Sequence, residues 1–204
     1  MFRHFEYSDR LLVDRDLMSP FQEFLKRGFD IAVAIAGLLL LSPLIVLVSL
    51  AITLESRGPV LCRYKCYDLN DTAFEVFEFR STIAGPKDEK CVTWIGLILR
   101  RSGIDKIPQL INVLRGDMSI IGPHPYTTAP GRAYGARIAQ CQLHNVRPGL
   151  VSWAQVNEDQ PENTNAAERF RHGIEYDCYY LENRSFLFDM KILFLALLSK
   201  STYT

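Results

Sequence analysis

A mainly helical α/β architecture carrying one membrane segment is predicted by three stretches of this 204-residue chain. Residues Ile31 to Leu54 run for 24 positions without a charged side chain. AFEVFEFRS, from Ala73, is dense in aromatic and branched residues and follows the turn-forming DLND, so it reads as a strand. Ile104, Ile107, Leu110, Ile111 and Leu114 recur at helical spacing and predict a helix with one buried face. A chain of this length can build one real core and carry an accessory segment.

Residues 1–25 are mixed in polarity and predict a cytosolic or interfacial leader. It includes a short helix with Phe21, Phe24 and Leu25 on one side. Residues 26–57 form the membrane segment. A straight helix over the uncharged run would extend about 36 Å, against a hydrocarbon core of roughly 30 Å. The run starts behind a charged leader, too far from the N-terminus for a cleaved signal peptide. Ser42-Pro43 interrupts it near the middle. Proline removes a donor and clashes with the preceding turn, and the serine hydroxyl can satisfy a freed carbonyl. Two halves of about twelve residues would each reach only some 18 Å, too short to span. These residues leave two arrangements open, a kinked crossing helix and a re-entrant hairpin. Lys26 and Arg27 before the run and Arg57 after it fit the hairpin, with both ends on the cytosolic side.

Residues 58–204 make up the remaining, cytosolic domain. Within it, Pro108 constrains where a helix can start. With Asp105 as N-cap, the proline falls in the first turn, where its missing N–H has no partner to lose. Gly116-Asp117 closes that helix with Arg115 in its last turn. MSIIGPHP then reads as a short strand ending in a rigid loop, Gly122 to Pro125. The apolar stretch Phe186 to Leu198 contains Asp189 and Lys191 and is too short to span. It predicts an interfacial or core-packed helix.

Composition narrows the function. Lys plus Arg and Asp plus Glu both number 23, so the chain has no global field to draw in nucleic acid, and anion binding must come from local clusters. Five cysteines without paired spacing predict reduced, structural thiols and no zinc site. The local cluster of interest is RRSGIDKIPQL, Arg100 to Leu110. An aspartate at a helix N-terminus needs no catalytic role, since free N–H groups and the helix dipole favour it there. Guanidinium groups beside the same terminus, however, make a phosphate site, and a carboxylate within it could attack phosphorus.

Several motifs in order carry a resemblance. KRGFD, the uncharged run with its Ser-Pro break, ESRGPVL, FEFRST, RRSGIDKIPQLINVLRGDMSIIGPHP, VRPGLVSWAQVN and EYDCYYLENRSFLFDMKIL extend from about Lys26 to Leu198. Together they resemble the bacterial sugar transferase family, the small polyprenyl-phosphate phosphosugar transferases that initiate exopolysaccharide, capsule and glycan synthesis. The resemblance implies a monotopic protein at the cytoplasmic face of the bacterial inner membrane. Its re-entrant helix would break at Ser42-Pro43, with interfacial helices and a small catalytic domain around it. It implies transfer of a sugar-1-phosphate from a UDP-sugar to undecaprenyl phosphate, with release of UMP and a covalent phosphosugar intermediate on Asp105. It further implies Mg²⁺ as cofactor, membrane lipid and downstream glycosyltransferases as partners, and no nucleic acid. By similarity Arg80, Arg101, His124 and Arg147 contact substrate phosphate, and Asp177 is the later acidic residue, a candidate metal ligand.

The chain also departs from the pattern. The glutamate that follows the family's aspartate is Lys106 here, a change of two charge units that removes an oxygen ligand. The Gly-Pro-Arg-Pro loop is Gly-Pro-His-Pro, and His124 cannot form a bidentate fork. Two readings follow. In one the chain is an active transferase, with Lys106 as a point charge on a phosphate and Asp177 or Asp117 supplying the metal ligand. In the other it is a catalytically impaired homologue that binds and regulates.

Overall fold

The computed structural model describes residues 18–68, 72–84, 90–127, 146–157 and 166–198. The chain enters helix α1, Pro20–Leu40, through Ser19, whose hydroxyl accepts the Gln22 N–H at 3.3 Å. Pro20 suits the first turn because its fixed φ is helical and it has no N–H to lose. Helix α2, Ser42–Glu55, follows after a single residue, and the two helices are bent by 60°. The Ser42 hydroxyl donates to the Leu39 carbonyl at 2.8 Å, the repair expected at a proline break. Among the described residues no single helix is long and apolar enough to cross a membrane, but this bent pair passes the test jointly.

The arms are unequal, 21 and 14 residues, where two halves of about twelve were expected. The first is longer because the short leader helix and the membrane helix are one continuous element. Phe21 and Phe24 lie on its exposed side.

Strands β1, Leu61–Tyr67, and β2, Ala73–Phe79, pair antiparallel with Leu61 opposite Phe79. The short strands β3, Thr82–Ala84, and β4, Lys90–Val92, form a second ribbon. Helix α3, Trp94–Ser102, ends at Gly103, whose φ of 69° only glycine adopts readily. A 3₁₀ turn, Ile104–Lys106, leads into helix α4, Gln109–Arg115, which closes at Gly116. Strand β5, Ser119–Ile121, runs parallel to β6, Gly149–Val151. Helices α5, Trp153–Asn157, α6, Ala166–Glu182, and α7, Phe186–Leu198, complete the described chain.

The main core lies where α1, α4, β5, α6 and α7 meet, around Val113, Met118, Ile121, Ile174, Tyr180 and Ile192. Polar groups fix the arrangement. Lys26 is buried and its ammonium donates to Asp189 at 2.6 Å and to the Ile121 carbonyl at 2.8 Å. Tyr180 donates its hydroxyl to the other Asp189 oxygen at 2.8 Å. Arg27 donates to the Val113 and Leu114 carbonyls at 2.7 and 3.1 Å, which caps the C-terminal end of α4. Asp30 accepts the Ile120 N–H and the Ser119 hydroxyl. Lys26 and Arg27, which precede the uncharged run, are therefore docking groups that hold α1 to the domain.

Helix α7 has two characters. Asp189 and Ile192 are buried, whereas Leu187, Phe194 and Leu197 are exposed. One cysteine differs from expectation. Cys62, Cys66 and Cys91 are free thiols, but Cys178, on α6, is disulfide-bonded. Sequence spacing does not reveal a bridge closed by the fold.

Candidate active site

Asp105 is not the N-cap of α4. It sits in the 3₁₀ turn, and Pro108 takes the cap position with φ −61° and ψ −17°. Gly103 ends α3 one turn too early for a continuous helix, so the chain restarts as a tight turn and becomes helical only after the proline. The turn packs on β2. Asn112 secures this contact from α4, donating to the Glu75 carbonyl at 2.6 Å and accepting the Phe77 N–H at 3.1 Å.

Only 8% of Asp105 is exposed, and its Oδ1 is buried without a hydrogen-bond partner. Such an atom carries the desolvation cost of a polar group that no protein donor offsets. Burial raises the Asp105 pKa, while Lys106, Arg100 and the backbone N–H groups of the turn pull it back. Lys106 and Arg100 are therefore the cations that face this carboxylate.

A second carboxylate faces it as well. Glu78, near the end of β2, is half-buried and accepts from the Gln109 side-chain amide at 2.9 Å. Burial pushes its pKa up, the Asp105 charge pushes it further, and Lys106, the Gln109 hydrogen bond and Arg100 oppose the shift. In the sequence alone, Glu78 is one more residue of the strand AFEVFEFRS. The available signal is its place two residues after Val76 on the same strand face, where a half-buried acid needs a partner.

His124 borders the same group of charges. Burial first, and the Lys106 charge second, lower its pKa to about 4, so the imidazole is neutral at pH 7. Its backbone N–H donates to both oxygens of Asp177 at 3.1 and 3.2 Å, and the Tyr126 hydroxyl donates at 2.6 Å. Asp177 is fully buried, which raises its pKa to about 7 against the pull of those hydrogen bonds. Asp177 thus fixes the Gly-Pro-His-Pro loop, with both oxygens engaged.

The structure distributes the remaining candidates. Arg80 is buried, and its guanidinium donates to the Arg57 carbonyl at 2.9 Å, the Ser56 carbonyl at 2.7 Å and the Ser56 hydroxyl at 2.9 Å. It clamps the C-terminal end of α2, and only its Nε lacks a partner. Arg101 is exposed on α3, and its neighbour Arg100 is the one that reaches the acids, with its Nε on the Ser81 hydroxyl at 2.9 Å. Arg147 lines a cavity of about 260 Å³ with Asp68 and Asp117. That cavity is at the far end of α4, about 10 Å along the helix from the Asp105 turn. A second, apolar cavity of about 210 Å³ lies between the bent helices and the site, bounded by Leu38, Ile45, Val60, Phe79, Pro108 and Ile111.

Comparison with known proteins agrees with this architecture. The family model described as bacterial sugar transferase matches residues 21–201. The chain is 38% identical over 190 residues to the UDP-glucose:undecaprenyl-phosphate glucose-1-phosphate transferase of Escherichia coli K12, covering 88% of this chain and 40% of that protein. It is 36% identical to the undecaprenyl-phosphate glucose phosphotransferase of Komagataeibacter xylinus, covering 91% and 37%. With the exopolysaccharide production protein PSS of Rhizobium leguminosarum bv. phaseoli the identity is 37%, covering 87% of this chain and 96% of that protein. This chain belongs to the bacterial sugar transferase family. It spans about two fifths of the length of the E. coli and K. xylinus relatives.

Proposed function

We propose that this chain transfers a sugar-1-phosphate from a UDP-sugar to undecaprenyl phosphate as the first step of exopolysaccharide assembly. The observation that carries this reading is the buried Asp105 carboxylate, with one oxygen unpartnered, facing Lys106 and Arg100. An Asp105 oxygen attacks the phosphorus that bears the sugar, an O–P bond forms, and the diphosphate P–O bond breaks. The bond electrons leave with UMP. An undecaprenyl phosphate oxygen then attacks the same phosphorus and expels Asp105 as a free carboxylate, giving the lipid diphosphate-linked sugar. Splitting the transfer lets a soluble donor and a lipid acceptor use one site in turn. Lys106 and Arg100 act as charges on the phosphates. Neutral His124 contributes packing and hydrogen bonding at the rim of the site.

Mg²⁺ is the cofactor in this reading, because an orphaned buried carboxylate oxygen suits a hard cation. When bound it would neutralise charge on the diphosphate leaving group. Helices α1 and α2 form a re-entrant hairpin at the cytoplasmic face of the bacterial inner membrane, consistent with the exposed Leu39, Leu40, Leu47 and Leu54. Leu187, Phe194 and Leu197 of α7 add apolar surface, and the apolar cavity beside Pro108 suits the first isoprene units of the acceptor. The product then passes to downstream glycosyltransferases.

The test is UMP release by the purified protein in detergent, with Mg²⁺, undecaprenyl phosphate and a panel of UDP-sugars. The panel should include the glucose and N-acetylgalactosamine donors for which relatives are named. Release beyond one equivalent that requires the lipid, and a fall of about a thousandfold or more in Asp105→Asn, support the reading. Silence across the panel would leave the impaired, regulatory homologue in its place.

A further inference from the structure

The replacement of the family's glutamate by Lys106 raises the question of where a second acid comes from. It has not vanished from the site. Glu78, on β2, lies close enough to Asp105 for the two charges to interact, and the pairing of β2 with β1 fixes its backbone, with Cys62 opposite it. The Gln109 amide holds Oε1 at 2.9 Å, so the side chain is oriented toward the start of α4 and the 3₁₀ turn.

We infer that Glu78 is the metal-directed carboxylate of this chain, working with the unpartnered Oδ1 of Asp105 to hold a divalent cation on the donor diphosphate. The inference rests on the reading of Asp105 as the reacting carboxylate. Two half-buried or buried acids facing one another repel unless a cation lies between or beside them. Lys106 and Arg100 supply part of that compensation, yet Asp105 Oδ1 still has no donor. A small hard cation needs few protein ligands, since Mg²⁺ keeps several waters and is held by one or two carboxylates plus substrate phosphates. The set Asp105, Glu78 and a diphosphate meets that requirement.

The experiment measures metal binding directly, with Mn²⁺ as an EPR-visible probe and UDP as the diphosphate. The full chain in detergent is titrated as wild type and as Glu78→Gln, which keeps the acceptor for Gln109. The expected result is one Mn²⁺ bound per wild-type chain, displaced by Mg²⁺, and at least tenfold weaker binding in Glu78→Gln at unchanged melting temperature. A second measurement needs no variant. Fe²⁺ with ascorbate, bound in place of Mg²⁺, should cut the wild-type backbone near both 78 and 105, and excess Mg²⁺ should suppress both cuts. Equal Mn²⁺ affinity in the two proteins, or cuts at 105 without cuts near 78, overturns the assignment. Asp105-dependent UMP release alongside either of those results would leave the transferase reading intact. Glu78-dependent Mn²⁺ binding in a protein that releases no UMP would support the metal assignment and remove the transferase reading.

Discussion

The strongest test of how the membrane helix is held to the domain is Lys26→Met. The ammonium is nearly inaccessible, and Asp189 is only 1% exposed, so the pair is a buried ion pair at 2.6 Å. Removing one member of such a pair costs about 3–5 kcal/mol, because the remaining charge stays buried and uncompensated. The structure says where that cost falls. The Ile121 carbonyl loses its ammonium donor too, because the nearby Ser119 hydroxyl gives its one proton to Asp30 at 2.8 Å. Asp189 keeps only the Tyr180 hydroxyl at 2.8 Å, a neutral donor facing a full charge. Methionine nearly matches the lysine stem in volume, so packing loss is minor.

The second half of the cycle is Asp189→Asn in the Lys26→Met background. It removes the charge while its amide oxygen still accepts from Tyr180, so the double variant should recover about 2 kcal/mol of the single loss. For a chain of this size, 3–5 kcal/mol corresponds to a fall in Tm of about 6–20 °C. Urea unfolding in detergent, followed by tryptophan fluorescence, is a suitable assay. Trp153 packs 5.0 Å from Phe188 of α7, so its emission reports the region that the pair anchors. A Lys26→Met protein within about 1 kcal/mol of wild type, or strictly additive costs in the double variant, would refute the reasoning.

Asp177 gives a pH dependence of known sign. Its folded pKa is raised to about 7 and its unfolded value is near the ordinary 3.8, so between these limits the folded state holds a proton that the unfolded state has released. The associated stability is fully present below pH 4 and is lost as pH rises toward 7, by up to about 4 kcal/mol. Asp177→Asn should flatten that part of the urea-midpoint profile, and parallel profiles for the two proteins would contradict it. Gly58 has φ 131°, and a Cβ there would lie 2.1 Å from Arg80 Nη1. Gly58→Ala should therefore cost about 1–3 kcal/mol and loosen the Arg80 clamp on α2, so an unchanged urea midpoint would exclude that account.

Local patterns in the sequence transferred well to the structure. The Ser42-Pro43 break, the strand after DLND and the close of α4 at Gly116 each depend on a few adjacent residues with strong steric preferences. The family motifs also placed Asp105 and Lys106 in one turn. Direction was harder to read. A motif shows that an arginine is present at 80 but not that its guanidinium turns toward the carbonyls of α2. Lys26 and Arg27 looked like interfacial charges because their partners, Asp189 and the end of α4, are remote in sequence. The N-cap placement of Asp105 failed because Gly103 and Pro108 together split one helical pattern into a turn and a helix. Glu78 was missed for a related reason. Its partners, Asp105, Lys106 and Gln109, lie on other elements and meet it only through the fold.

That last case changes what Lys106 means. Taken alone, a lysine beside the aspartate proposed to react looks like the mark of a decayed site. With Glu78 present, Asp105 and Glu78 set two negative charges against the two positive charges of Lys106 and Arg100. The site is then close to neutral before substrate arrives. A bound diphosphate adds about two negative charges, and opposite charges 4 Å apart at an effective dielectric of 20 attract by about 4 kcal/mol. In the proposed site one divalent cation would restore the balance, whereas a further lysine would supply only half of it. The sign reversal at 106 is thus offset by an acid on a neighbouring strand. Lys106→Glu, which restores the family residue, would then crowd three carboxylates into one site. Without added metal it should destabilise the fold, with a lower Tm than wild type that Mg²⁺ raises again. A Lys106→Glu protein as stable as wild type in EDTA would show that a carboxylate at 106 does not share one field with Glu78 and Asp105.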